Sequence, residues 1–327
     1  MSGSRGLLIL MLAGVALALG AGCGRREAAP VDAAWQQVQA NPNSAQAQIQ
    51  LGDAYSAEEQ YNEAFVHFGQ AWQIDSNFFD AAFKLARTCL RLRDPHTGLA
   101  WIDGALAINP QSAEAYELKG RLLMTKGQPR AALPVLKKAV ELDSGLLVAH
   151  LNLVTAYKST GQPKAAIEVG AQAVAIGPEE ASAHFAYADA LEMAGQDDLA
   201  EQHYRRAIEL DPDLADPKLR LALLLTHNNK FLTEAYQLAK EAQKLNPADG
   251  TAEATAGWIL FLSGEEREGL KVLQSAALAH TYNHRIWLRF AVALKRAGHE
   301  ESAQRAAAIA MKVGPKALPS TPPVPSE

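Results

Sequence analysis

The sequence predicts an all-α protein, a solenoid of about eight antiparallel helix pairs behind an N-terminal signal peptide. Three observations predict it. A unit of 34 residues returns from Ala45 onward, as in Glu180 to Pro212, EASAHFAYADALEMAGQDDLAEQHYRRAIELDP. Small residues recur at fixed places within the unit. Gly punctuates its middle and Pro its end. A chain of 327 residues would ordinarily suggest two globular domains, but a repeat array stacks neighbour on neighbour and escapes that arithmetic.

The elements follow in chain order. Residues 1–22 read as a targeting segment: Arg5 is the only charge, Leu7 to Leu19 form an apolar run, and Gly20-Ala21-Gly22 are small. The run is too short to span a bilayer comfortably. Cys23 follows at once, and the junction resembles a bacterial lipobox, although Gly20 stands where that pattern prefers Leu and Leu19 lies one place earlier. The resemblance implies lipidation at Cys23 and attachment to a membrane. Gly24 in place of Asp further implies, in a two-membrane bacterium, a position in the cell envelope on the periplasmic face of the outer membrane. Residues 23–30 form a short polar tether. Residues 31–44 hold one helix, with Trp35 and Val38 apolar and Asn41-Pro42 ending it, which would cap the open end of the array.

Eight units are then expected at 45–78, 79–112, 113–146, 147–180, 181–214, 215–249, 250–283 and 284–315, followed by a Pro- and Ser-rich tail over 316–327 that should be disordered. The twenty-seventh residue is Ala in all, one place late in the sixth unit with its extra residue: Ala71, Ala105, Ala139, Ala173, Ala207, Ala242, Ala276 and Ala310. The eighth and twentieth places are small too, for example Gly52, Gly120 and Gly257 against Ala64, Ala132 and Gly269. Small side chains belong where two helices cross closely. Gly127, Gly161, Gly195, Gly264 and Gly298 should end first helices, with Asn229 in the equivalent place; Pro110, Pro178, Pro212, Pro247 and Pro315 should end second helices. Two irregularities stand out: Leu92-Arg93-Asp94-Pro95-His96 lacks the Gly turn, and the sixth unit carries an extra residue around Asn228-Asn229-Lys230-Phe231.

These residues resemble the tetratricopeptide repeat. The resemblance implies a right-handed superhelix whose work is binding and not catalysis.

Composition agrees with a binding role. The formal charge of -5 and pI of about 6.0 leave no electrostatic footprint for nucleic acid. Only two cysteines exist, so no disulfide framework is implied, and Cys89 reads as a small buried hydrophobe. His150 and His184, at the fourth place of successive units, read as packed and hydrogen-bonded. His280 and His284 have i, i+4 spacing but straddle a junction between units. Catalytic, phosphate-cradling and metal motifs are not found, so neither enzyme activity nor a cofactor is expected.

What remains is the inner side of each first helix, where the second, fifth, ninth and twelfth residues share one face. In proteins with this repeat that side lines a concave groove for partners. The expected partner-binding residues are Phe83, Arg87, Arg121, Leu151, Phe185, Leu219, Leu223, Trp258, Phe261, Leu262, Leu288 and Val292. Arg285, Lys295 and Arg296 would flank the apolar end and meet acidic flanks of the partner. The Lys and Asn clamp of chaperone-binding relatives is missing; a lone Asn152 matches it. The expectation is an envelope-anchored adaptor that holds an extended or amphipathic segment of another protein during assembly of an envelope machine for pili, secretion, outer-membrane insertion or polysaccharide export. The alternative is an accessory protein that takes a lipid or a polysaccharide carrier at the apolar C-terminal groove.

Overall fold

A computed structural model describes residues 30–228 and 231–314. The signal segment, Cys23, Asn229, Pro315 and the tail lie outside these residues. Among the described residues there are seventeen helices and no strand. The chain divides after Ser76 into two compact units.

The first unit holds α1 (Pro30–Ala40), α2 (Ala45–Ala57) and α3 (Tyr61–Ile74). Ala34 and Val38 of α1 pack on Ala47 and Leu51 of α2, as a cap requires. Trp35, by contrast, stays 41% exposed and sets its ring edge-on to His67, 6.1 Å away. The apolar contact of α1 is thus carried by Ala34 and Val38, with Val31 packed against the same cluster. Ser44 caps α2 by accepting from the Ala47 amide.

The second unit is a solenoid of seven helix pairs. First helices are α4 (Phe79–Arg91), α6 (Ala113–Thr125), α8 (Leu147–Ser159), α10 (Ala181–Met193), α12 (Ala215–His227), α14 (Thr251–Leu262) and α16 (His284–Arg296). Second helices are α5 (Pro95–Ile108), α7 (Pro129–Leu142), α9 (Pro163–Ile176), α11 (Asp197–Leu210), α13 (Leu232–Leu245), α15 (Glu266–Ala279) and α17 (Glu300–Val313). Each helix packs on the next along the chain. Successive first helices also touch, as α4 with α6, α6 with α8, and α14 with α16. Those contacts make the first helices one wall.

Local chemistry sets these boundaries. Pro95, Pro129 and Pro163 open second helices, where a missing amide hydrogen costs nothing. The turn Gly residues 127, 161, 195, 264 and 298 all have positive φ, the conformation that ends a helix with least strain. At the two irregular turns a side chain must adopt that conformation: Arg93 has φ 58° and Phe231 φ 48°. Both pairs nevertheless form, so tertiary packing outweighs local strain there.

Pairs are held by close approach at the small positions. The Ala residues at the twentieth and twenty-seventh places are buried throughout. At the crossing of α14 and α15 the approach is backbone to backbone. A Cβ on Gly269 would fall 2.6 Å from the Phe261 nitrogen and 2.7 Å from the Gly257 oxygen. Both are backbone atoms and cannot rotate away.

Cys89 is 1% exposed, and burial pushes its thiol up to about 11, with Asp94 adding to the effect. It is therefore a protonated core residue at neutral pH. His150 donates from Nδ1 to the Leu146 carbonyl, 3.2 Å away. His184 Nε2 lies 3.0 Å from the Pro178 carbonyl, which fixes its proton there and leaves Nδ1 to accept from His203 Nδ1 at 2.9 Å. Tyr187 packs edge-on to the His203 ring at 4.6 Å. His280 ends α15 and His284 begins α16, so the two do not share a helix.

Two measurements test this packing. Gly269→Ala should destabilise the protein by about 1–3 kcal/mol in urea unfolding. Gly104→Ala, in a helix with nothing near the new carbon, should stabilise it by up to about 1 kcal/mol. Equal effects would refute the close crossing. The second test concerns pH. Burial, then electrostatic interaction with the His184 ring, holds His203 below its unfolded value of 6.5. The unfolded chain therefore binds the proton first, and stability present above that value is lost as pH falls through it. His203→Gln should flatten the decline in melting temperature between about pH 7 and 5; an unchanged slope would show that the pair is not strained by protonation.

Candidate partner-binding groove

The wall of first helices changes character along its length, because side chains reach from one pair to the one before. At its start Phe83 is half-buried and stacks on Phe79 at 5.6 Å, while Arg87 is exposed. Next, Glu117 is 6% exposed. Asn152 donates to it at 2.6 Å and Arg121 stands 3.6 Å away. Burial raises the Glu117 carboxyl, and these two partners offset only part of that. Asn152 is thus occupied within the wall and is not a free clamp residue.

The centre is a neutralised network. Arg220 of α12 reaches back to α10, with Nε 3.0 Å from Asp189 and a terminal nitrogen 2.9 Å from Glu192. Lys158 of α8 pairs with the other Asp189 oxygen. The fully buried Tyr204 hydroxyl lies 2.7 Å from Asp189 and 2.5 Å from Glu192, and its single proton serves one at a time. Burial alone would raise Asp189; Arg220 and Lys158 overturn it and hold the carboxyl below its ordinary range. Two cations and two carboxylates cancel. Leu151 and Phe185 flank this network half-buried, with Phe185 tilted 6.0 Å from Tyr204.

The C-terminal end is different. Leu219 and Leu223 on α12, Trp258, Phe261 and Leu262 on α14, and Leu288 on α16 are all half-buried, and Val292 is 41% exposed. Trp258 and Phe261 stack at 5.6 Å with their rings 13° apart. The Arg296 guanidinium lies 5.3 Å over the Trp258 ring. Trp258, Phe261 and Leu288 also rest against the core beneath, which contains Trp287 and Phe290. They form a floor with one face in the core and one in the groove.

The expected residues therefore fall on one wall but in two chemical settings. Sequence reasoning passed over Arg220, Tyr204 and Arg289. The sixth residue of a pair had been considered only as an Asn place, yet Arg220 and Arg289 both stand there and both reach back to the preceding pair. An acid at the ninth and twelfth places opposite such an Arg is readable once the register is known.

Elsewhere, a cleft of about 660 Å³ opens between α15 and α17 over Trp287 and Phe290, rimmed by charges of both signs such as Glu266, Lys271 and Arg305. It belongs to the second helices and not to this wall. Among the described residues no group of three His, Cys, Asp or Glu stands together as a metal site.

Comparison with known proteins fits the architecture. Profiles of the tetratricopeptide repeat match residues 55–122, 113–145 and 151–215. Among solved structures, a chain of the Cut9–Hcn1 complex of the APC/C aligns with a TM-score of 0.62 at 17% identity, over 69% of this chain and 45% of that one. Yeast Tom70 aligns at 0.57 and 18% identity, over 84% and 58%. Pseudomonas aeruginosa pilF aligns at 0.55 and 20% identity, over 68% and 96%. No curated protein matches the sequence. At such identities the structures speak for the fold alone, and together with the three matching profiles and the consecutive helix pairs they show a chain built of tetratricopeptide repeats, a repeat whose proteins are generally non-catalytic interaction scaffolds.

Proposed function

We propose that this protein is a non-catalytic scaffold that holds a segment of another protein against the C-terminal part of the first-helix wall. In this reading a lipid on Cys23 anchors it in a bacterial envelope, in the service of an envelope assembly. The observation that carries the binding site is the contrast within the wall. Its centre spends its charges on itself, while its end presents the stacked Trp258 and Phe261 with Val292 beside them. Aromatic residues half in the core and half in solvent are rigid and cost little entropy on binding, which is where interface energy concentrates. The anchor rests on the lipobox resemblance; among the described residues no helix is long and apolar enough to cross a membrane. Two or three acyl chains, at about 0.8 kcal/mol per buried methylene, suffice for stable attachment.

Each half has its own test. A partner photocrosslinked from position 262 in isolated membranes should be lost with Trp258→Ala, by about 2 kcal/mol of affinity. The accompanying loss of stability should stay below the 3–5 kcal/mol typical of a fully buried aromatic, about which thermal melts decide. Undiminished crosslinking would remove Trp258 from the site. For the anchor, Cys23→Ser should yield soluble, unprocessed or secreted protein on fractionation. A variant that stays with membranes to the same degree overturns the lipid.

A further inference from the structure

Arg289 holds on α16 the place that Arg220 holds on α12, the sixth residue of its pair. Arg220 meets Asp189 and Glu192, the ninth and twelfth residues of the pair before it. The same two places before Arg289 are Trp258 and Phe261. The cation has been kept and its two acids replaced by aromatic rings.

Among the described residues Arg289 makes one hydrogen bond. Its Nη1 donates to Thr255 Oγ1 at 2.6 Å, and the Thr255 hydroxyl gives its own proton to the Thr251 carbonyl at 2.8 Å. Thr255 is fully buried, so this contact pins the guanidinium at the floor of the groove, and Arg289 as a whole is half-buried there. Desolvation without a compensating acid pulls Arg289 down to about 10, whereas Arg220, under burial but facing Glu192 and Asp189, is raised. Among the described residues no carboxylate stands within ion-pair distance of Arg285, Arg289 or Arg296. These three and Val292 follow i, i+4, i+7 and i+11 on α16, one stripe of the helix. The stripe is basic in a protein of net charge -5, and α16 contains no acidic residue.

A desolvated guanidinium without a counter-ion costs free energy that an arriving anion returns. The wall itself shows which anion fits this place, because two pairs earlier it is a side-chain carboxylate. We propose that Arg289 is the receptor for an Asp or Glu side chain of the bound segment, with an apolar neighbour of that residue laid on Trp258 and Phe261. The partner is thereby specified as an acidic peptide with apolar flanks. This deepens the groove reading above and rests on it. The planar fork of Arg289, held at one corner by Thr255, leaves the opposite edge for a bidentate carboxylate. Arg296 and Arg285 at the two ends of the stripe supply long-range attraction.

The experiment uses the full-length lipidated protein in detergent and a synthetic peptide array in which every dodecamer bearing one Asp or Glu among apolar residues has an Asn or Gln twin. Peptides retained by the wild type should lose at least about 10-fold in affinity when the acid becomes the amide. Arg289→Met should lose the same factor on the acidic peptide and no longer distinguish the twins. Its melting temperature should not fall, while Arg220→Met, which strands Asp189 and Glu192, should melt lower. Peptides whose binding needs Trp258 but ignores the change of acid to amide would overturn the carboxylate receptor and leave the groove standing. An array in which nothing binds, or binds independently of Trp258, overturns both. Phosphatidylglycerol vesicles run in parallel give the remaining outcome: capture of vesicles through Arg289 with no acidic peptide retained would assign the site to a lipid headgroup and refute the peptide.

Discussion

The structure depends on how closely two helix backbones can approach. At the crossing of α14 and α15, Gly269 lies against the Phe261 and Gly257 backbone with no room for a single added carbon. Elsewhere Ala serves at the same places, and Gly52 accepts the Phe68 ring where a Cβ would be 2.5 Å away. Close approach has two consequences. It buries the small side chains of each pair, which no pair could bury alone, and it fixes the rotation of the first helix. With rotation fixed, the fifth, ninth and twelfth residues must look inward along the wall. The make-up of the wall is thus downstream of glycine and alanine packing on the other face.

Given that wall, its electrostatics are decided by side-chain length. Arg and Lys span the gap between successive first helices, and Asp, Glu and Asn meet them part way. In the centre this exhausts the charges, and a saturated network of Lys158, Asp189, Glu192, Arg220 and Tyr204 has nothing left to offer a ligand. Such a network makes that stretch stiff and specific in its own register rather than adhesive. Toward the C-terminus the acids disappear and aromatic rings take their places. The long cations remain, one over an indole and one on a threonine. Unpaired cations and half-exposed rings begin where internal satisfaction stops.

The sequence by itself determined the helix pairs, their boundaries and the inward face, because these depend on local rules repeated every 34 residues. Gly at positive φ, Pro before or after a helix and Ala at a crossing each act within a few residues, and repetition makes the pattern legible. The sequence also placed Trp258 and Phe261 on the same face through their spacing. It left open which apolar residues of α1 are buried, and there Ala34 and Val38 are inside while Trp35 is exposed. It gave no sign that the chain divides after Ser76.

Which charges are spent and which are spare was decided by the tertiary structure alone. Arg220 and Arg289 are the same residue at the same place of the repeat, and nothing within α12 or α16 separates them. What separates them stands some thirty residues earlier, on the helix each one reaches back to: two carboxylates for Arg220, a threonine hydroxyl beside two rings for Arg289. Periodicity assigns a residue to a face. Whether its charge is satisfied depends on a distance between neighbouring pairs, which stacking sets and composition does not record.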